Sequence, residues 1–482
     1  MGSSSHRNQE KRLVHWFRRG LRLHDNPALR DGIRGASWAR CIYIIDPRLI
    51  SQRSVNKWRI LELNGGFPPT TYLEFIRVVS KIVMPALPDD RATMSDFGSL
   101  VEDNDESQSK YHFQLHGIPR LSQLGLDVDG HIENCYWPGG ESEALDRLSR
   151  HIESIAYNMT KPDVRCHNHF TLFAPASGLA PYLRFGCLSA RLYYARLNEL
   201  YHQIYNKVPP ISHFGPVLWR EFFYTIAYNN PNHNKIINNP YCVHIPWDYD
   251  HIAVDKWTHG YTGFPMVDAA MRQLANEGWI HPFCKHIVAC FLTRGGLFQP
   301  WTEGFRVFEH LSLDNDWALN AGMWLWLSGS SFFQTFLRVY NPAEFGRRID
   351  PTGEFIRHYI PSLRHFPSEY IHEPWNAPFD IQQKSNCIVG SNHYPVPIIN
   401  YTHRSLINTE RMVQAYRFLD RFRGFIGSLN GLPPNFVYSE IKCDSLLVQP
   451  HRRKKHRSAP IIQTRFNSLR CTTPDVDSDS DE

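Results

Sequence analysis

Three groups of residues have types and spacings that could do chemistry. In "LDNDWALN" the carboxylates of Asp314 and Asp316 flank Asn315, and the amide of Asn320 follows four residues on. A carboxylate accepts hydrogen bonds and an amide both donates and accepts, so this segment could hold hydroxyls or the edge of a polar ring. Aspartates two apart also serve as helix caps or turn formers. In "GWIHPFCKH" His281 and His286 bracket Pro282 and Lys285. Imidazole suits acid–base work near neutral pH, but five residues along a helix put these two on different faces. The tryptophans Trp247, Trp301 and Trp324 are the third group, in a chain of 13 Trp, 22 Tyr and 29 Phe. Such an inventory packs helices, or else lines a flat ring cofactor. Cys166, His167 and His169 also cluster, yet no second ligand pair stands at zinc-like spacing, and no metal site is expected.

Bulk properties bound what these groups can serve. The chain has 482 residues, 42% of them hydrophobic and 21% charged, which predicts a globular protein of two or three domains. A formal net charge of +5 permits a phosphate-rich partner without requiring one. Ten cysteines without a CxxC pair, and no signal peptide, point to a reduced intracellular compartment. No membrane span is expected. The most apolar long stretch, Trp317 to Phe333, is broken by Asn320, Ser328 and Ser330 and reads as a buried helix.

The positioning elements follow from pattern. "LVHWFRRGLRLHDNPALRDGI" reads as a buried strand, a basic loop taken as a solvated charge cluster, and a helix capped near Asp25 and Asn26 with Pro27 in its first turn. "RCIYIIDP" (Arg40 to Pro47) is a second strand. Strand, helix, strand opens a parallel sheet, but the alternation then stops, and two parallel strands cannot bury both faces of a sheet. From about Cys166 to Gly424 the chain turns helical. "TGFPMVDAAMRQLANEGW" sets Phe264, Val267, Met271 and Leu274 at helical spacing, with Gly278 near the end. "NTERMVQAYRFLDRFRG" predicts a helix capped by Asn408, with Met412, Tyr416 and Leu419 on an apolar face flanked by Arg411, Arg417, Arg421 and Arg423. The composition beyond Gly424, with "HRRKKHR" at His451 to Arg457 and an acidic end, predicts disorder.

Several stretches together resemble the photolyase/cryptochrome family: "VHWFRRGLRLHDNPAL", "WPGGESEAL", "PYLRFGCLSAR", "LWREFFYT", "ACFLTRGGL" and "LDNDWALNAGMWLWLSGSSFF". The later "FGRRIDPTGEFIRHYIPSLRHFPSEYIHEPWNAP" is most similar to animal repressor-type cryptochromes and (6-4) photolyases. The resemblance implies an α/β plus all-α fold. A truncated parallel-sheet domain over 12–61 and an inter-domain connector over 62–165 precede a helical FAD-binding domain over 166–424 and a tail over 425–482. Roughly 80–90 residues of the family's α/β domain are missing where Leu61 meets Glu62, more than half of a small domain. The family's antenna-chromophore pocket is built there and is expected to be absent.

For the FAD site the resemblance implies Ser177, Leu179, Trp219, Arg220, Lys285, Asp314, Asn315, Asp316 and Asn320, with Asn320 facing the flavin N5. Three positions depart from the family pattern. Ala180 stands where a hydroxyl is usual, and Pro216 where Gln or Glu is usual. Lys285 replaces an Arg, keeping the charge and losing the fork. FAD is therefore expected to bind more weakly than in members with the full pocket. Trp324, Trp301 and Trp247 match the family's electron-transfer path, and Phe298 takes the place of a fourth Trp found in some animal members. In the histidine pair that serves (6-4) repair, His286 is retained but its partner position is Pro282, so no catalytic residue is assigned and an enzyme is not expected. The function implied is that of a cryptochrome, a flavoprotein repressing transcription in the circadian clock through protein–protein binding. A (6-4)-type photolyase and a non-functional truncated isoform are the alternatives. Expected partners are clock transcription-factor and repressor proteins, bound through Met412, Tyr416 and Leu419, with weak DNA binding at most. The basic tail run fits nuclear import, giving an expected location in nucleus and cytoplasm.

Overall fold

Asn26 and Pro27 start the first helix as their residue types dictate: the Asn26 side chain accepts from Leu29 N at 3.2 Å, and proline opens the helix where an N–H has no partner anyway. The computed structural model describes residues 12–17, 20–33, 38–43, 57–82, 88, 136–160, 171–206, 214–228, 230–331 and 339–421. Cys166, His167 and His169 and the tail from 422 lie outside them. The elements are β1 (Arg12–Phe17), α1 (Pro27–Ile33), β2 (Trp38–Tyr43), α2 (Lys57–Leu63), α3 (Tyr72–Val79) and α4 (Glu141–Thr160), then α5 (Ala180–Phe185), α6 (Ala190–Tyr205), α7 (Gly215–Ala227), α8 (His251–Thr258), α9 (Pro265–Glu277) and α10 (Pro282–Leu292). They continue with α11 (Trp301–Leu311), α12 (Trp317–Leu327), α13 (Pro342–Ile349), α14 (Glu354–Tyr359), α15 (Phe379–Lys384) and α16 (Tyr401–Arg421). Two compact units interleave along the chain, whereas the sequence reading divides it linearly. One is Met1–Ile50, Pro85–Ala156 and Ala176–Lys207; the other is Ser51–Met84, Tyr157–Pro175 and Val208–Glu482.

In the first unit β1 and β2 pair in parallel from Arg12↔Trp38 to Phe17↔Tyr43, with α1 as the crossover that parallel pairing needs. From Arg22 on, the loop after β1 is not the solvated cluster expected of it; Arg18 and Arg19 lie outside the described residues. Arg22 donates to the carbonyls of His24 (3.1 Å), Asp25 (3.0 Å) and Gly186 (3.0 Å). Asp25 is buried with φ +46° and accepts from the Ser189 hydroxyl and the Arg191 guanidinium. Glu141, the first residue of α4, accepts from the N–H groups of Leu23 and His24, both at 2.9 Å, and meets His24 Nδ1 at 2.6 Å. Because a buried charge is tolerated only when paired, these bonds specify one arrangement of loop and helices.

The second unit is helical and built round α9. All four residues that the sequence puts on its apolar face, Phe264, Val267, Met271 and Leu274, are buried, and Gly278 caps its end. Asp268 is buried in the same helix. It accepts from Thr262 N (2.8 Å), Thr262 Oγ1 (2.6 Å), Gly263 N (3.1 Å) and Tyr394 Oη (2.7 Å). Two helices, α11 and α7, close on α12 through glycine. A Cβ on Gly304 of α11 would lie 2.1 Å from Trp324, and one on Gly322 of α12 would lie 2.3 Å from Phe223 of α7. The helix expected to start at Asn408 starts eight residues earlier. Asn400 provides the cap, accepting from His403 N at 3.2 Å, while Asn408 is buried within α16 and donates to Gly296 O at 2.8 Å.

Burial pushes the Glu141 carboxyl up, but the His24 ring bond and the two backbone N–H groups outweigh it and bring it from 4.5 down to about 2. A depressed carboxyl contributes stability above its unfolded value and loses it as pH falls through the folded one. Glu141→Gln should therefore lower the thermal midpoint most above pH 4.5, and the gap to the parent should close as pH falls toward about 2. Melting curves over that range check this.

Candidate functional site

The acidic loop between α11 and α12 is held from both sides. Leu313 N donates to Gly278 O at 2.8 Å, Asn315 N donates to Ser312 O at 3.2 Å, and the Asn315 amide donates to Glu309 O at 3.3 Å. Asp314 accepts from Ser312 Oγ at 2.6 Å and meets Lys285 Nζ of α10 at 3.2 and 3.4 Å. Lysine in place of the family's arginine thus still engages the loop, as a point charge between the two oxygens. Asp316, only 2% exposed, is the N-cap of α12, accepting from Ala318 N at 3.1 Å and Leu319 N at 3.5 Å. A carboxylate there also meets the positive end of the helix dipole. Burial pushes the Tyr224 hydroxyl up, and Asp316, to which it is hydrogen-bonded, adds to the rise. The Arg220 guanidinium stacks on the Tyr224 ring at 5.1 Å. One turn into α12, Asn320 donates to Phe305 O at 3.0 Å.

Structure therefore brings Arg220, Lys285, Asp314, Asp316 and Asn320 into one unit, on α7, α10, α12 and the loop before it. Trp219 lies in an aromatic stack. Tyr72 is parallel to it at 3.9 Å and 4°, and Trp326 lies on it at 5.2 Å and 25°. Ser177 and Leu179 stand in the other unit, Leu179 as the residue before α5 with no side-chain cap bond and Ala180 as that helix's first residue. Pro216 falls in the first turn of α7.

The histidines are placed by helix chemistry. His281 caps α10, its Nδ1 accepting from Phe283 N at 3.2 Å, and Pro282 is the first helical residue. His286 is set edge-on to Trp326 at 5.4 Å. Burial brings both imidazoles down to about 4; Lys285 adds to this for His281, and Arg294 and His281 add to it for His286. Both are neutral at neutral pH.

Trp324 and Trp301 are buried in the core round α9, Trp324 edge-on to Phe308 at 5.3 Å and to Trp257 at 6.2 Å. Trp247 belongs to a second cluster with Phe298 and two residues expected to meet a partner. Met412 is 1% exposed, and Tyr416 is 5% exposed with its hydroxyl donating to Gly329 O. That expectation is corrected: the apolar face of α16 is its inward face, consumed by the protein's own core. Arg411, taken as part of a basic rim, is paired with Asp248 at the surface. The Leu419 side chain lies outside the described residues. Among the described residues no three His, Cys, Asp or Glu side chains group as metal ligands, and no helix is long and apolar enough to cross a membrane. Tyr72, Tyr224 and Trp326 were not singled out from sequence. Tyr224 and Trp326 stood inside quoted motifs, and only packing marks Tyr72.

Comparison with known proteins agrees with this geometry. The family described as the FAD binding domain of DNA photolyase matches residues 213–414, and the DNA photolyase family matches 13–64. Cryptochrome-1 of Rattus norvegicus is 42% identical over 515 residues, covering 88% of this chain and 85% of the relative. Since 88% of 482 residues is about 424, about 90 aligned positions of that relative have no residue here. Cryptochrome-2 of Gallus gallus is 41% identical over 502 residues, covering 86% and 85%. A class III photolyase of Agrobacterium tumefaciens shares the fold with TM-score 0.66 at 24% identity, covering 86% of this chain and 100% of that chain. A cryptochrome of Synechocystis sp. does so with TM-score 0.65 at 21% identity, covering 83% and 98%.

The cofactor of this fold is FAD, and the residues present fit it. Carboxylates suit ribose hydroxyls, an amide suits a ring nitrogen in either protonation state, and two cations suit anionic oxygens. Lys285→Arg should raise the flavin bound per chain and Asp314→Asn should lower it, read from flavin absorbance of purified protein. Gly304→Ala, which forces Trp324 aside, should destabilise the chain by about 1–3 kcal/mol in urea unfolding.

Proposed function

The chain belongs to the photolyase/cryptochrome family, and from that premise we propose that it acts as a clock cryptochrome, repressing transcription by binding other proteins. The observation that carries this reading over light-driven repair is the place of His281 and Pro282. Repair of (6-4) lesions needs an acid–base histidine pair, and here proline fills the position that would partner His286, while the neighbouring His281 spends Nδ1 on capping α10. Relatives named cryptochromes, at 41–43% identity, support the same branch.

FAD, when bound, supplies light absorption and one-electron chemistry. Asp314, Asp316, Asn320, Arg220 and Lys285 hold and orient it, and the buried Trp324, Trp301 and Trp247 form the path by which the protein replaces an electron. Phe298 beside Trp247, at 4.7 Å, cannot extend that path as a fourth tryptophan would.

With Met412 and Tyr416 buried, the partner surface on α16 passes to its outward residues: Leu406 (69% exposed), Phe418 (60% exposed) and Arg417. The partners are clock transcription-factor and repressor proteins, and DNA is bound weakly at most. The run at His451 to Arg457 directs import, so the protein divides between nucleus and cytoplasm. The strands at 12–61 are the remnant of a larger parallel-sheet domain, and the antenna-chromophore pocket has gone with the missing part. The roughly 90 unmatched positions also favour a second reading, a truncated form without repressor activity.

A clock-driven reporter separates these readings. The parent chain should repress it, Phe418→Glu with Leu406→Glu should relieve repression without changing the melting point, and ultraviolet-damaged DNA should show no light-dependent loss of (6-4) lesions. An inactive parent would favour the truncated reading, and lesion loss above a no-protein control would restore the photolyase reading. Replacing Arg452, Arg453, Lys454 and Lys455 by Ala should move a tagged chain toward the cytoplasm.

A further inference from the structure

Arg411 of α16 reaches the end of the tryptophan path through a bidentate ion pair. Its Nη1 donates to Asp248 Oδ2 at 2.8 Å, and its Nη2 donates to Asp248 Oδ1 at 2.8 Å and to Pro246 O at 3.0 Å. A single guanidinium so grips the residues on both sides of Trp247. Its central carbon lies 3.7 Å from the Phe298 ring centroid, and Phe298 in turn packs on Trp247 at 4.7 Å. Asp248 N donates to Phe298 O at 2.9 Å, closing the segment onto that ring's own backbone. Arg404 adds a second cation, 3.8 Å from Asp248 Oδ2. Met412 and Tyr416, on the same helix, complete the wall round Trp247.

We propose that Arg411 is a positioning residue for electron transfer, fixing the Trp247 indole and setting, together with Asp248, the lifetime of an electron vacancy on it. The inference rests on the reading of Trp324, Trp301 and Trp247 as an electron path. In the step concerned, neutral Trp247 gives one electron to the Trp301 radical cation, which returns to neutral indole as Trp247 becomes the radical cation. The step is electron transfer alone, and Trp247 Nε1 has no hydrogen-bond partner among the described residues. The vacancy is then a full positive charge beside a cation and an anion at short range. Arg411 and Asp248 are partly exposed, so solvent weakens their fields, but at this range the guanidinium still opposes the vacancy and the carboxylate favours it. A bidentate fork gives geometry that a lysine ammonium would not.

Two measurements test this on the full chain. The first needs no flavin: with 5-fluorotryptophan incorporated, the Trp247 line in fluorine NMR, assigned by Trp247→Phe, reports the ring's setting. Arg411→Met, Arg411→Lys and Asp248→Asn should each shift or broaden that line while leaving the Trp324 line in place. An unmoved Trp247 line in all three would overturn the positioning role. The second is the lifetime of the tryptophan radical after a light flash on flavin-loaded protein. Arg411→Met should lengthen it by about threefold or more and Asp248→Asn should shorten it by a similar factor, with Arg411→Lys close to the parent. Loosening alone would move both variants in the same direction, and that result would sink the charge effect. If Trp247→Phe leaves radical yield and lifetime as in the parent, the electron path itself is wrong, while the fluorine line still decides whether Arg411 holds the ring.

Discussion

The close approach of α7, α11 and α12 is the constraint on which the site depends. Both contacts require a missing side chain: Gly304 lets Trp324 lie on α11, and Gly322 lets α12 lie on Phe223 of α7. Two of these helices, α7 and α12, and the loop from α11 to α12 carry the polar groups of the unit except Lys285, which is on α10. Arg220 and Tyr224 ride on α7, Asn320 on α12, and Asn320 reaches the α11 carbonyl of Phe305 across the gap that Gly304 keeps narrow. A methyl group at either glycine would separate helices before it disturbed any charge. Interiors pack too densely to absorb such a change locally. Packing therefore comes first, and the electrostatics of the acidic loop are laid on top of it.

Several groups that look catalytic are spent on structure, and this competition shapes what the protein can do. Asp316 must cap α12, since four N–H groups at a helix start have no partner within the helix. That duty fixes Oδ1 and leaves the rest of the carboxylate to Tyr224. His281 caps α10 in the same way, and its Nδ1 is no longer available as a base. Aspartate has a second oxygen and survives the double duty. Imidazole, with Nδ1 engaged as an acceptor and burial holding it neutral, has only its other nitrogen left. One residue type can share structure and chemistry at a helix start; the other must choose.

How much of this was legible in the sequence depends on which force sets each feature. The α9 face and its end at Gly278 were legible, because a 3.6-residue apolar period and a terminal glycine are local signals. The acidic loop was legible for the same reason, as capping chemistry inside a motif. The inward direction of Met412 and Tyr416 was not, although their spacing was read correctly. An apolar stripe says that a face is covered, and only the partner cluster of Val243, Ile245, Trp247 and Phe298 says by what. The start of α16 was misplaced because Asn400 and Asn408 are both good caps, and tertiary demand chose between them. Asn408 is claimed by Gly296 O, which leaves Asn400 to begin the helix.

The first unit joins polar geometry to an apolar core. Its described sheet has two parallel strands, and Leu29, Ile33, Leu148, Leu188 and Leu197 are buried in the same unit. The loop after β1 is fixed by charge as well: Arg22 on three carbonyls, Glu141 on two N–H groups and an imidazole, and Asp25 between a hydroxyl and a guanidinium. Each of these groups is costly to bury singly and favourable only as a set. The loop is consequently specified by polar geometry, and its weakness lies in any change of protonation or charge that leaves one member unpaired. In the helical unit packing sets the sharper limit: a methyl group at Gly304 has no space beside Trp324, whereas lysine at position 285 still engages Asp314.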